Sequence, residues 1–193
     1  MRLRTLCAVT TLLFATGAHA AWQFDPAQSQ ITAAVTDQTA SGNVTHTHRI
    51  DKLNGTISDD GQMTLPLKLS QLDVISNLGQ LPPWLSSLSD SQMATVEANI
   101  EPSWLINLGV GDTMTRTLPI TVSGDRFTRS ERIPLRLERL SQNEYVVTTA
   151  EPINIDTQQL MQLENAQTIM SMLGYHKLTG TIPINFNARL QQQ

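Results

Sequence analysis

The stretch IPINFNARL, residues 182–190, alternates apolar and polar side chains without a break. The apolar positions are Ile182, Ile184, Phe186, Ala188 and Leu190. Successive side chains of a β-strand point to opposite faces, so this stretch predicts a strand with one apolar and one polar face. Such a strand is typical of an antiparallel sheet that buries one side and exposes the other.

The same alternation recurs along the chain and predicts a mainly β fold. Three further runs show it, at residues 63–70, 118–123 and 133–138. Weaker patterns predict strands at 29–36, 42–50, 93–100 and 144–149, with Asn54-Gly55 and Asp60-Gly61 as turns. About eight antiparallel strands result, which must either pair as two sheets or curl into one barrel.

Proline lies inside four of the alternating runs. The residues are Pro66, Pro119, Pro134 and Pro183. Because proline cannot donate a hydrogen bond to a neighbouring strand, these positions indicate bulges, sheet edges or strand ends.

Two segments depart from the alternation. Residues 78–91 contain Pro82, Pro83 and Trp84 and predict a loop with a short helical turn. Residues 156–174 repeat apolar side chains at helical spacing, with Asp156 suited to cap the start and Gly174 to end the helix. We therefore expect one short helix near the C-terminus.

The first 20 residues predict an export signal. Arg2 and Arg4 precede a short apolar run, and Ala18-His19-Ala20 has the pattern of a cleavage site. The apolar run is well short of the roughly 20 residues of a membrane-spanning helix. We expect a signal peptide at 1–20, cleaved near Ala20, and one domain at 21–193 that is periplasmic or secreted.

Composition excludes several classes of function for the mature chain. Without Arg2 and Arg4, 11 basic and 17 acidic residues remain, a net charge of about −6. No basic stretch is left to bind phosphates, so nucleic acid is not an expected partner. Cys7 lies in the signal, which leaves the mature chain without a disulfide or a thiolate. No later segment resembles a membrane span, so stable membrane insertion is not expected.

His46 and His48, in GNVTHTHRI at 42–50, are the candidate metal ligands. Residues two apart on a strand share a face, so both imidazoles would point the same way. With a third ligand, such as His176 or a carboxylate, they could hold a divalent metal. The alternative, which we favour, is that both bind no metal and are either polar residues at a barrel mouth or residues satisfied by hydrogen bonds.

Motifs of hydrolytic enzymes are absent from the sequence. It contains neither a G-x-S-x-G nucleophile elbow nor an H-E-x-x-H helix. Asp59-Asp60 is an adjacent pair in a predicted turn, where such side chains are usually solvated. The sequence thus favours a protein that is not an enzyme and needs no cofactor.

Four segments of the mature chain have a characteristic order. WQFDPAQSQI at 22–31 has an aromatic residue and Asp-Pro before a Ser that begins a strand. LNGTI at 53–57, DDGQMTLPLKLSQLDV at 59–74 and LPITVSGDRFTRSERIPLRL at 118–137 follow it. In these segments and their order, the mature chain resembles the YceI-like family over nearly its whole length. The resemblance implies an antiparallel, lipocalin-like barrel with a long apolar tunnel that binds polyisoprenoids or other long-chain amphiphiles in the periplasm.

The wall of such a tunnel would combine the inward faces of the strands with the apolar loop and helix. Methionine suits this role because its flexible thioether chain adapts to irregular shapes. In the alternative, the loop and helix side chains simply pack as core. The side chains that we expect to line the tunnel are Val44, Leu65, Leu67, Trp84, Val96, Ile120, Leu135, Met161, Met170, Ile184 and Phe186.

Three functions remain open at this point. The first is an exported, non-catalytic carrier of a long apolar small molecule. The second is a metal-binding protein or metal-dependent enzyme that uses His46 and His48. The third is an interaction module with a filled core and no ligand. Exposed edge strands would also allow a homodimer.

Overall fold

The computed structural model describes residues 20–77, 91–125, 127–162, 167, 171 and 174–193. Most of the predicted signal and of the 78–91 loop therefore lies outside the described residues. The strands are β1 (Ala20–Phe24), β2 (Gln30–Thr39), β3 (Gly42–Ile50), β4 (Thr56–Ser58), β5 (Gln62–Lys68), β6 (Gln92–Asn99), β7 (Thr113–Gly124), β8 (Phe127–Ser141), β9 (Glu144–Thr149), β10 (Ile153–Asp156) and β11 (Thr181–Gln192). The helices are a 3-10 turn (Leu69–Gln71), α1 (Asp73–Ser76), α2 (Pro102–Asn107) and α3 (Thr157–Leu160).

Eight of these strands close into an antiparallel barrel. Their order around the barrel is β1-β4-β5-β6-β7-β8-β9-β11, and β11 pairs again with β1. At one end β10, β2 and β3 extend the sheet from β11. The predicted mainly β barrel of antiparallel strands is confirmed, and of the two arrangements left open by the alternation the chain adopts the single curled sheet.

The last strand, β11, changes both of its partners halfway along. In its first half Ile184 lies opposite Ile153 of β10 and Ala33 of β2. In its second half Leu190 lies opposite Tyr145 of β9 and Phe24 of β1. The barrel therefore closes at the end that contains β1 and β9, and its other end is bounded by β10, β2 and β3.

Each of the four strand prolines lies where a strand has a partner on one side only. Pro66 pairs with β6 but lies beyond the end of β4, and Pro119 pairs with β8 but lies just past the last pair between β6 and β7. Pro134 pairs with β7 just before β9 begins to pair, and Pro183 pairs with β10 just before β2 does. A missing N–H costs little at such positions, because no ladder partner is there to receive it.

An aromatic pair and helix α2 fill the closed end of the barrel. The Trp22 and Tyr145 rings meet edge to face, with centroids 4.9 Å apart. Tyr145 is fully buried, and its hydroxyl donates a hydrogen bond to the Leu105 carbonyl of α2. This bond satisfies the one polar atom of a large buried ring and fixes α2 across the barrel.

Gly55 is required by space in the turn before β4. A Cβ at this position would lie 2.8 Å from the Phe24 ring, closer than real Cβ contacts allow. Phe24 also donates its backbone N–H to the Gly55 carbonyl, at 2.9 Å. Absence of a side chain therefore lets this turn pack directly on β1.

Short elements are the ones that the alternation does not predict. Strands β1, β4 and β10 have five, three and four residues, too few for a pattern of period two to stand out. The helix near the C-terminus begins as expected, since Asp156 Oδ1 accepts a hydrogen bond from the Gln158 N–H at 2.8 Å. Its described part is α3, and Gly174 has the positive φ of 79° typical of a glycine that ends a helix. In the part of the chain that the structure describes, no helix is long and apolar enough to cross a membrane.

Leu190→Ala should destabilise the barrel strongly. Leu190 is 1% exposed at the junction of β11, β9 and β1, so truncation leaves a cavity that costs about 2–5 kcal/mol. Leu140→Ala is the matched control on β8, where the side chain is 38% exposed and the change should cost well under 1 kcal/mol. Urea unfolding of both variants measures this, and similar midpoints would contradict the packing described here.

Candidate functional site

The inward faces of the strands form a continuous apolar wall. Leu65 of β5 lies opposite Val96 of β6, which lies opposite Val122 of β7. Directly opposed residues of antiparallel strands share a face, so these side chains look the same way. On the other side of the barrel Phe186 of β11 lies opposite Ile31 of β2. The two sides belong to one cluster, with its partly buried members included.

The predicted tunnel-lining residues occupy several environments. Those buried in the core are Leu65, Leu67 and Ile120, and those partly buried against it are Val96, Leu135 and Phe186. Ile184 is half-buried on the face that it shares with Phe186. Val44 of β3 and Met161 after α3 are exposed, and Trp84 and Met170 lie outside the described residues. That this set lines a ligand tunnel stays a prediction.

His46 and His48 lie on the inward face of β3, at the open end. They stand opposite Val35 and Ala33 of β2, and Ala33 in turn stands opposite Ile184. Both imidazoles therefore share one face, as their spacing predicts. They interrupt the apolar wall with polar groups at the end of the barrel away from α2.

His48 is the centre of a chain of three polar side chains. Its Nδ1 lies 3.3 Å from Oδ1 of Asp73 in α1, and its Nε2 is hydrogen-bonded to the Tyr175 hydroxyl. The Tyr175 ring meets both imidazoles edge to face, with centroids 5.5 Å from His46 and 5.8 Å from His48. Asp73, His48 and Tyr175 form what we call the polar relay.

Asp37 anchors the segment that carries Tyr175. It is 2% exposed, and its Oδ1 accepts hydrogen bonds from the backbone N–H groups of His176 and Lys177, at 2.9 and 2.7 Å. Its Oδ2 lies 3.2 Å from Nδ1 of His176. A buried carboxylate that receives several hydrogen bonds fixes the backbone that donates them, so Asp37 holds residues 175–177 against β2.

The pKa of the Asp37 carboxyl reflects two opposing effects. Burial acts to raise the pKa, whereas the Lys177 N–H and the His176 ring and N–H lower it by stabilising the ionised form. The hydrogen bonds dominate, so the pKa lies below its ordinary value of 3.8. Asp37 therefore enters the fold as a carboxylate.

The structure brings together polar residues that the sequence did not single out. Asp37, Asp73 and Tyr175 come from distant parts of the chain, and only His176 was considered beside the two strand histidines. The sequence contains one signal for Asp37. This residue follows Ile31, Ala33 and Val35 at the spacing of two that marks the inward face of β2. An aspartate in phase with an apolar face indicates a buried carboxylate with dedicated partners.

The described residues contain no group of three or more His, Cys, Asp or Glu side chains placed to hold a metal ion. Both ring nitrogens of His48 are engaged, one by Asp73 and one by Tyr175. Nδ1 of His176 is engaged by the Asp37 carboxylate, at 3.2 Å. A metal site on His46 and His48 would need a rearranged relay, and it stays an untested alternative.

Comparison with known proteins relates the chain to solved structures alone. No protein-family model matches the sequence, and no curated protein sequence matches it. The structure is similar to a polyisoprenoid binding domain from Saccharophagus degradans, with a TM-score of 0.73 and 21% identity over 91% of this chain and 100% of that one. It also has a weak similarity to BcnA of Burkholderia cenocepacia, with a TM-score of 0.45 and 12% identity over 83% of this chain and 95% of that one.

The first of these similarities shows a shared fold. It spans nearly all of both chains, so the agreement concerns the fold of the domain and not a part of it. The lipocalin-like barrel that the resemblance to YceI-like proteins implied is thereby confirmed.

Asp37→Asn should reduce stability in a pH-dependent way. The lowered pKa means that the ionised carboxylate stabilises the fold above about pH 4, and that this contribution is lost as the pH falls through the folded-state value. The difference in unfolding free energy between wild type and Asp37→Asn should thus be constant from pH 7 to 5 and shrink towards pH 3. Urea unfolding at each pH measures it.

Asp125→Asn is the control for this series. Asp125 is an exposed carboxylate in the turn between β7 and β8, and its variant should follow the wild type at every pH. If Asp37→Asn lowers the unfolding free energy by as much at pH 3 as at pH 7, the role given to the Asp37 carboxylate is contradicted.

Proposed function

We propose that this protein is an exported, non-catalytic carrier that binds a long apolar chain inside its barrel. The ligand class is a polyisoprenoid or fatty-acyl amphiphile. The observation that carries the proposal is the continuous apolar inward wall that meets polar side chains at the open end. A second, independent support is that the chain shares its fold with a polyisoprenoid binding domain of another protein.

An apolar wall of this kind binds a chain by burial alone. Each buried methylene contributes about 0.8 kcal/mol, so about ten contribute roughly 8 kcal/mol towards the costs of association. The polar end then orients an amphiphile, because its head group stays near groups that can hydrogen-bond to it. No bond needs to be made or broken, which is the basis for proposing that the protein is not an enzyme.

The N-terminal pattern supports export. Two arginines and a short apolar run precede Ala18-His19-Ala20, which ends at the first residue of β1, and cleavage near Ala20 would release the barrel into the periplasm or the medium. A carrier of membrane-derived chains has a role there, since such ligands do not cross an aqueous space unaided.

Native mass spectrometry of the protein purified without detergent should show a chain that begins near Ala21 with one bound apolar molecule. Organic extraction of the same sample should recover that molecule, and its fragments should repeat an isoprene or methylene unit. Elemental analysis is run in parallel. A bare chain with stoichiometric zinc or copper, lost on His46→Ala, would support the metal-binding alternative. A bare chain without metal would favour the interaction module.

Leu135→Trp should displace the ligand, whereas Arg136→Trp should not. The two residues are neighbours on β8, with Leu135 packed inward against the core and Arg136 exposed on the outer face. A larger ring on the inward face fills volume that the chain would occupy, and on the outer face it does not. Ligand recovered per mole of protein is the readout, with circular dichroism to verify folding. Equal recovery from both variants would contradict binding inside the barrel.

A further inference from the structure

A cavity of about 420 Å³ lies beside the polar relay, and binding an apolar chain does not account for it. Tyr175 and Lys177 border it on one side, and Thr157, Gln158 and Met161 of the α3 region border it on the other. Because Tyr175 also contacts His46 and His48, it stands between the inward face of β3 and this cavity. Tyr175 thus belongs both to the polar relay and to the wall of the cavity.

The polar relay has a defined direction. An ionised carboxylate can only accept hydrogen bonds, so His48 uses an Nδ1–H to donate to Asp73. In the neutral imidazole the other nitrogen, Nε2, is then an acceptor. The partner of Nε2 is the Tyr175 hydroxyl, which is therefore the donor when His48 is the neutral imidazole.

This direction determines what Tyr175 can offer to a ligand. Its single O–H is used on His48, so its oxygen has only lone pairs left for the cavity. Burial, followed by the charges of the Asp37 and Asp73 carboxylates, raises the pKa of Tyr175 above its ordinary value. The phenol stays neutral, and a negatively charged group next to it would be repelled by the same two carboxylates.

Building on the proposed function, we propose that the cavity selects a long apolar chain that ends in a hydroxyl group. The hydroxyl of the ligand donates a hydrogen bond to Tyr175 Oη, which the relay holds ready as an acceptor. Tyr175 is thus a specificity-determining residue, and Asp73 and His48 are positioning residues that act through it. Chains that end in a carboxylate or a phosphate are discriminated against.

Two basic side chains would oppose this selection. Those of His176 and Lys177 border the same cavity, and an ammonium attracts anionic head groups. The backbone N–H of each residue donates to the Asp37 carboxylate, which keeps both residues beside a buried negative charge. A probe with an anionic head group therefore shows which is stronger, the attraction by the basic side chains or the repulsion by the Asp37 and Asp73 carboxylates.

The test compares three probes that share one chain and differ only in the head group. They are geranylgeraniol, its methyl ether and geranylgeranyl diphosphate, each used to displace a fluorescent apolar dye from the full mature protein. The ether keeps the oxygen and removes the donor, so the alcohol should bind about fivefold to tenfold more tightly, as expected for one net hydrogen bond. The diphosphate should bind more weakly than the alcohol.

Tyr175→Phe should abolish the preference for the alcohol over the ether while leaving the affinity for the ether unchanged. Tyr145→Phe is the matched control, since its hydroxyl lies at the closed end, bonded to Leu105. This variant should keep the full preference. If Tyr175→Phe does not fold, the three probes on the wild type decide the question by themselves.

Each outcome supports or overturns the inference. Equal binding of alcohol and ether, tightest binding of the diphosphate, or loss of preference in Tyr145→Phe would overturn the role of Tyr175 and leave the carrier proposal standing. Failure of all three probes to displace the dye would overturn the carrier proposal as well. Preference for the alcohol that is lost only in Tyr175→Phe would support the assignment.

Discussion

The structure depends on the pairing of β11 with four strands. Its two halves serve different neighbours, and the change falls at Asn187, which pairs with both Gln30 of β2 and Thr148 of β9. The residues beside this point are tied to the turn between β1 and β2, because the Arg189 N–H donates to Ser29 Oγ and the Arg189 carbonyl accepts from Asp25. Ala188 is fully buried here, where a larger side chain would have no room. One strand thus sets both the closure of the barrel and the position of its open end.

The two ends of the barrel use opposite chemistry to hold a segment across them. At the closed end aromatic packing dominates, and one hydroxyl of Tyr145 fixes α2. At the open end a buried carboxylate, Asp37, holds residues 175–177 through backbone hydrogen bonds. A cavity adjoins the held segment at each end, of about 300 Å³ beside Leu105 and Tyr145 and of about 420 Å³ beside Tyr175. The two ends therefore differ in the chemistry that holds the segment and not in the presence of space beside it.

The sequence was informative where interactions are local or periodic. Strands of seven residues or more repeat their pattern often enough to be recognised, and Asp156 caps a helix start as its position predicts. The candidate site is different, because Asp37 and His176 are 139 residues apart and meet only when β2 and the segment before β11 are placed together. His46 and His48 were singled out as a pair, but their partners Asp73 and Tyr175 follow from the closure of the barrel. No periodic pattern marks such contacts.

The closing strand follows the other ten described strands along the chain, and this order has a consequence for biosynthesis. Until residues 181–192 are made, β1, β2 and β9 each have one of their two partner strands, and β10 lacks its partner β11. At about 5–20 residues per second the ribosome needs roughly 10–40 s to make the residues before β11, and through that time the nascent chain has no closed barrel to protect it. Pairing β1 with β11 is also slow, since it must close the long loop that contains all the strands between them. The polypeptide consequently stays open to chaperones and to a translocation channel until β11 has been made, which is the state that the proposed export requires.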